Sequence, residues 1–276
     1  RVHLYMENYE AAITAADSVL AKKDYALNDL NAHEKGTNAV DINSTETIFT
    51  HGLYMMHTLL PNAVRAYVSG QGYVNKCTGY TCSDDLMNSY DQTDLRLNVF
   101  FKERTLAGTN GYCCWKMLDC EREVSDKFAI RLPEAYLNKA EALACLHRDA
   151  EAIATLDELR ALRFSPNDFK ATDKSGDDLI NFIRDERRRE LCFEGHRWFD
   201  LRRYAVNSVC PFEKEIRHIS YLNTNGTVST EGVYVLQPYS QDKAAYVLPI
   251  PQDAIDFNKG NLSNEVRPER PIQPIN

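Results

Sequence analysis

The chain has 276 residues, of which 43% are hydrophobic and 26% charged, enough apolar material for one large packed domain or two small ones. Its net charge of −8 argues against a nucleic-acid partner, which would ask for a basic face. No apolar run reaches the length of a membrane-spanning helix.

In chain order, Arg1-Val2-His3-Leu4-Tyr5-Met6 reads as the last turns of a helix already under way, with no leader sequence. The expectation is that this sequence is part of a longer chain, and that Val2, Tyr5 and Met6 pack against residues outside it. From Asn8 to about Ala21 the apolar stripe Tyr9, Ala12, Ile13, Ala16, Val19, Leu20 predicts an amphipathic helix. The pattern returns at Asp149-Ala150-Glu151-Ala152-Ile153 and continues through Leu156, Leu159 and Leu162. Before it, Leu132 to Ala142 forms a further helical stripe with Pro133 suited to the first turn. Small Ala residues opposite Tyr or Leu suit the stacked helix pairs of tetratricopeptide repeats; two unrelated amphipathic helices are the alternative.

Residues 28–127 carry little helical pattern. Thr45–Thr50 reads as a short strand, and the rest alternates Gly, Asn, Ser and Thr with Tyr54, Tyr67, Tyr73, Tyr80, Tyr90, Tyr112 and Trp115. A long irregular stretch inside a compact domain usually serves function. Tyr offers a flat apolar face and a hydroxyl, a combination that suits the CH faces and hydroxyls of a sugar ring. Tyr67, Tyr73 and Tyr80 are the preferred stacking residues, with Tyr54 and Trp115 in reserve. Arg65 and Asn75 are the nearest fork and amide that can bond ligand polar groups. The alternative, that such rings anchor loops to the core, is preferred for any single Tyr. Asp94 and Arg96 read as a loop-fixing ion pair.

Cys145 and Cys192 fall on apolar helical positions and read as buried thiols. Cys77 and Cys82 flank a turn, while Cys113, Cys114 and Cys120 crowd one segment without the spacing of a zinc site. One or two surface disulfides are expected, with connectivity open.

The stretch from Ile180 to Tyr204 is the most unusual. At helical spacing one face collects Ile180, Ile183, Arg187, Glu190, Leu191, Glu194 and Trp198, mixing large apolar groups with charges. Charges facing inward must be paired, and Arg meets a carboxylate bidentately. Glu186, Arg187, Glu190, Glu194, Arg197, Asp200 and Arg202 therefore read as a partly buried ionic lattice, with Gly195 allowing a bend. Glu190 and Glu194, one helical turn apart, also have roughly the separation of a retaining glycosidase's carboxylates. The structural reading, with Arg187 and Arg197 neutralising both, is preferred.

Pro211–Val247 reads as irregular, with a hairpin turn at Thr224-Asn225-Gly226-Thr227 and short strands at Val233–Leu236 and Ala245–Leu248. The Pro-rich tail from Arg267 to Asn276 reads as an extended surface segment.

The run I-x-x-E-R-R-x-E-L-x-F-E-G-x-R-W-F-D-L-R-R from Ile183 to Arg203 resembles the C-terminal hallmark of the SusD/RagB family. Thr93-Asp94-Leu95-Arg96, the stretch Arg131–Ala142, and Leu248-Pro249-Ile250-Pro251 onward are similar to other family stretches in the right order. The closing motif departs at Ala254, at Lys259 and by one residue before Leu262. The resemblance implies a mainly α fold with tetratricopeptide-like helix pairs, a loop-rich ligand-binding region and a few short strands. Tetratricopeptide-like helices would occupy 1–27, ligand loops 28–127, a helical core 128–204 and an irregular segment 205–276. It further implies capture of an oligosaccharide, or in RagB-like cases a peptide, by a surface-exposed outer-membrane lipoprotein of Bacteroidota. The ligand would pass to a SusC-like TonB-dependent transporter, without catalysis or cofactor. Family members are about twice as long, with a lipidated Cys in the part absent here.

Overall fold

The computed structural model describes residues 1–34, 39–40, 44–49, 65–68, 72–75, 82–106, 109–114, 116, 130–224 and 227–275. The chain divides into two compact units, Arg1–Arg197 and Trp198–Asn276.

The first unit is built on stacked helices. α1 (Val2–Tyr5) and α2 (Tyr9–Leu20) form one pair, and α2 packs against a long helix, Leu132–Cys145. That helix (α5) packs in turn against Asp149–Arg160 (α6) and Gly176–Glu190 (α7). Leu137, Ala140, Leu143, Ala152, Leu156, Leu159, Ile180 and Ile183 are all buried, as the predicted stripes require. The two helix pairs turn in the same way. After α1, Glu7 takes φ +57°, with Asn8 N–H donating to His3 O and Glu7 N–H to Leu4 O. After α5, His147 takes φ +58°, with Arg148 N–H donating to Leu143 O and His147 N–H to Ala144 O. Each is a Schellman turn closed by a left-handed residue that is not Gly. The recurring sequence pattern thus marks a recurring tight helix–turn–helix of the tetratricopeptide kind. In α1, Leu4 is the buried side chain, while Val2 and Met6 are exposed.

Between the helix pairs, the described part of 28–127 is more regular than its composition suggests. β1 (Thr47–Phe49) pairs with β6 (Ile130–Arg131). Two antiparallel hairpins lie between them: β2 (Arg65–Val68) with β3 (Gly72–Asn75), and β4 (Phe101–Leu106) with β5 (Thr109–Cys114). Short helices α3 (Asp84–Met87) and α4 (Arg96–Val99) separate the hairpins. Ser83 caps α3 by accepting from Leu86 N–H. Leu86, Tyr90, Phe100, Phe101, Cys114 and Cys192 form a satellite core. Cys114 and Cys192 are free thiols there, both pushed up in pKa by burial. Cys145 is buried as expected, and so is Cys82, while Cys77 and Cys120 lie outside the described residues.

The helical spacing read from Ile180 to Trp198 is interrupted after Glu190. α7 ends at Glu190, the chain turns through Phe193 (φ +61°) and Gly195 (φ +82°), and α8 starts at Arg197 and runs to Ala205. The bend expected at Gly195 is present and sharper than a kink.

The second unit contains α8 and a long antiparallel hairpin, β7 (Ile216–Thr224) and β8 (Thr227–Leu236), where the composition suggested irregular chain. Pairing continues to Thr224↔Thr227, which leaves the two-residue Asn-Gly connection predicted. The strand expected at Ala245–Leu248 is instead a 3-10 turn at Lys243–Tyr246. Tyr246 is drawn into the core there, stacked on Trp198 at 5.2 Å with its hydroxyl donating to Gln237 O. Leu201, Ala245, Phe212, Ile216, Leu236 and Tyr239 complete this core. α9 (Gln252–Phe257) buries no residue, and the tail beyond it is extended and mostly exposed. No described helix is long and apolar enough to cross a membrane.

Candidate functional site

Glu186, Arg189 and Glu190 of α7 enter a sealed lattice. Glu190 is fully buried and accepts from three guanidiniums: Arg163 (Nε to Oε2 2.9 Å, Nη2 to Oε1 3.0 Å), Arg96 (3.1 Å) and Arg131 (3.3 Å). Glu194, returned to the same centre by the turn at Phe193–Gly195, accepts from Arg131 at 2.7 and 2.8 Å and from Lys116. Glu186 accepts from Arg96 at 2.6 Å and from Arg189 at 2.8 Å. Asp94 holds Arg96 bidentately, the ion pair expected of the D-L-R motif, but Arg96 also reaches two acids of α7. Glu46 joins Arg131 at 2.7 Å to Arg163 at 2.9 Å.

Local folding explains each position. The β1–β6 pair sets Glu46 beside Arg131, since Thr47 lies opposite Arg131 and Leu132 N–H donates to Glu46 O. Arg163 follows α6 in a turn whose carbonyl accepts from Leu95 N–H, which fixes the D-L-R segment against it. Lys116 leaves β5 beneath the Phe100 ring, 4.2 Å from its centroid.

This geometry is unsuited to acid/base chemistry. Burial alone would raise the Glu190 pKa, but Arg163, Arg131 and Arg96 together hold it well below the usual carboxylate range. Glu194 is likewise lowered against its burial by Arg131 and Lys116. A glycosidase's general acid needs the opposite shift. The expected partners are corrected as well: Arg187 donates to Asn138 at 2.8 Å and contacts His196 Nδ1 at 3.2 Å and Glu134 at 3.8 Å. Asp200 pairs with Arg203 at 2.9 Å, Arg197 is half-buried, and Arg202 is exposed. Glu46, Lys116, Arg131 and Arg163 escaped the sequence reading because each lies alone in its segment. Only Arg131, directly before the Pro133 helix start, sits where a signal was available.

Four of the predicted ligand residues, Arg65, Tyr67, Tyr73 and Asn75, fall on the β2–β3 hairpin. Arg65 is the register partner of Asn75, and Tyr67 of Tyr73. Strand alternation places these four register positions on one face of the ribbon, with Ala66↔Val74 and Val68↔Gly72 on the other. Tyr54, Tyr80 and Trp115 lie outside the described residues. Of the other aromatics in this region, Tyr90 is an anchoring ring: it is buried, and its hydroxyl donates to Arg189 O at 2.7 Å. Tyr112, opposite Glu103 on the β4–β5 hairpin, is 41% exposed and joins the candidates.

No curated protein matches the chain. Solved structures do. A SusD-like carbohydrate binding protein from Bacteroides vulgatus aligns with a TM-score of 0.63 at 22% identity, covering 94% of this chain and 56% of its own. A SusD superfamily protein from Bacteroides thetaiotaomicron gives 0.65 at 21% identity, covering 96% and 58%. A SusD-like protein from Bacteroides fragilis gives 0.65 at 18%, covering 94% and 62%. The chain thus spans little more than half the length of these relatives, with which it shares the fold. The model of the SusD family matches residues 105–266, more than half of the chain and the whole run from α5 to α9. With the hallmark stretch, the helix pairs and this match in agreement, the chain belongs to the SusD family.

Proposed function

We propose that this protein captures an oligosaccharide at the bacterial cell surface, as an outer-membrane lipoprotein, and delivers it to a SusC-like TonB-dependent transporter for nutrient uptake. The observation that carries the reading is the β2–β3 register, which pairs Tyr67 with Tyr73 and Arg65 with Asn75 within a SusD-family chain. Two aromatic positions beside a guanidinium and an amide position on one ribbon face supply what a sugar needs: a stacking platform and a few directed polar groups. The SusD-like relative from Bacteroides vulgatus is described as carbohydrate binding. The sealed state of Glu190 and Glu194 supports binding over hydrolysis by that pair.

A glycan and peptide array identifies the ligand class, and calorimetry on Tyr67→Ala, Tyr73→Ala, Tyr80→Ala and Tyr112→Ala locates the site. Removing a platform ring should cost about 1–3 kcal/mol of binding, by analogy with base stacking on aromatics. Unchanged affinity in all four variants would move the site elsewhere. Binding of peptides but no glycans would make the protein RagB-like in its ligand.

A further inference from the structure

Beyond ligand capture, the geometry points to a strand-docking site on the outer edge of β8, occupied in this chain by its own C-terminal tail and fitted to the same tail of a second copy.

One side of β8 is satisfied by β7, with Val233 opposite Ile219. On the other side Val233 N–H donates to Gln273 O and Gln273 N–H to Val233 O, both at 2.9 Å, closing a two-bond antiparallel bridge. The edge is shaped for this visitor. A β carbon on Gly232 would lie 2.3 Å from Ile272 Cγ2 and 2.5 Å from Gln273 O, so only Gly lets the tail backbone come this close. Upstream, Arg270 Nε donates to Asp242 Oδ2 at 3.1 Å. Asp242 is buried, its other oxygen has no hydrogen-bond partner, and Arg270 makes its one ion pair among the described residues. A buried carboxylate held by a single arginine from the tail sets the register of docking.

The tail therefore reads as Arg-Pro-Ile-Gln with one anchor per feature: Arg270 in the Asp242 pocket, Ile272 over Gly232, and Gln273 on the Val233 backbone. Arg270 and Ile272 are half-buried, whereas Pro271, Gln273 and the segment 263–269 are exposed. Asn264 on Ile250 and Arg267 on Val247 tether the chain upstream, so beyond Arg267 the strap is held by these three anchors and can leave while the hairpin stays folded. Once it leaves, β8 presents an unpaired edge, which is a template for another strand. A second copy carries the identical segment, and exchanging tails reproduces every contact with only the connection changed.

The test uses the full chain and the peptide Glu-Arg-Pro-Ile-Gln-Pro-Ile-Asn, corresponding to residues 269–276, as the second copy's tail. Amide hydrogen exchange is read at Val233 and Gln273, with amides of 216–220 as the control for hairpin integrity. In Arg270→Ala, exchange at Val233 and Gln273 should rise by about tenfold while the control is unchanged. Excess peptide should restore protection at Val233 in that variant but not in Arg270→Ala/Gly232→Val. If Arg270→Ala also loosens the control amides, Ile272→Ala, which keeps the ion pair, gives the same readout. Unchanged exchange at Val233 in the folded variant, no rescue by peptide, or equal rescue with Val at 232 overturns the proposal.

Discussion

The helix stack of the first unit and the ionic lattice beside it are both closed to water, yet they are built from opposite materials. In the stack, Leu137, Ala140, Leu143, Leu156 and Leu159 bury non-directional apolar surface. In the lattice, the acids Glu46, Asp94, Glu186, Glu190 and Glu194 meet the bases Arg96, Lys116, Arg131, Arg163 and Arg189, five against five, so the buried charge cancels. In the stack, α5, α6 and α7 follow one another in the chain, and α2 joins them from far upstream through apolar packing on α5. The lattice joins segments far apart: Arg96 and Glu190 are 94 residues distant, and Arg163 and Glu46 117. Against well-packed apolar groups a buried ion network is often neutral in stability, so its contribution here is to fix where the strands and loops of the first unit meet the end of α7. That frame takes in Lys116, just past the β4–β5 hairpin.

The sharpest way to break this comparison is to make matched changes in both interiors. Glu190→Ala leaves three guanidiniums facing one another without their shared carboxylate, and should cost about 3–5 kcal/mol in denaturant unfolding. Glu190→Gln keeps the volume yet should cost nearly as much. Leu143→Met, equally buried, should cost less than about 1.5 kcal/mol, because the apolar stack tolerates a swap of similar volume. Equal losses in Glu190→Gln and Leu143→Met would mean that the lattice is no more demanding than the stack.

Acid should separate the two interiors next. His196 is held down to about 4 by burial first and then by Arg187. The unfolded chain takes up this proton near pH 6.5 and the folded chain does not, so stability is full above that pH and declines as pH falls from about 6.5 to about 4, by on the order of 2–3 kcal/mol. Glu186 and Glu134 are each held at about 2, against burial, by their arginine partners. Their depressed values add stability above about 4.5 that is lost as pH falls toward 2. Unfolding titrations of wild type and His196→Asn should diverge between pH 6.5 and 4, with the variant flat down to about pH 4.5, where the carboxylates begin to lose their contribution. A slope that persists in the variant would assign it to another group.

What the sequence made legible follows the same division. The stack was readable because helix periodicity is a local signal: the stripes of α2, α5 and α6 and the repeated turn could be drawn from neighbouring residues. The lattice was half readable. Charges on the apolar face of α7 announced that they must be paired, but their partners Arg163, Arg131, Lys116 and Glu46 are assigned only by tertiary folding. Carrying helical spacing past Glu190 as far as Glu194 gave these two acids the wrong geometry, since the left-handed Phe193 carries no compositional mark. The β7–β8 hairpin was legible at its Asn-Gly turn and hidden along its length, because its strands mix Ser, Thr and His with the aliphatics. Of the proposed ligand positions, the register of Tyr67 with Tyr73 and of Arg65 with Asn75 was not anticipated, because strand pairing depends on a partner segment.

The smallest expected effect tests whether the repeated turn is a true structural repeat. His147 is exposed and adopts φ +58°, a conformation that brings an L residue's β carbon too close to its carbonyl oxygen. The Schellman bonds across it use only backbone groups, so Gly at this position would keep them and relieve the strain. Gly also enlarges the entropy of the unfolded chain, which offsets part of the gain. His147→Gly should therefore stabilise the protein by about 0.5–1 kcal/mol, seen as a rise of a few degrees in melting temperature. Glu7→Gly, at the matching place in the first pair, should move the same way. A loss of stability at His147 would show that the imidazole holds the turn itself, and opposite signs at the two positions would mean that the pairs share a shape without sharing its cause.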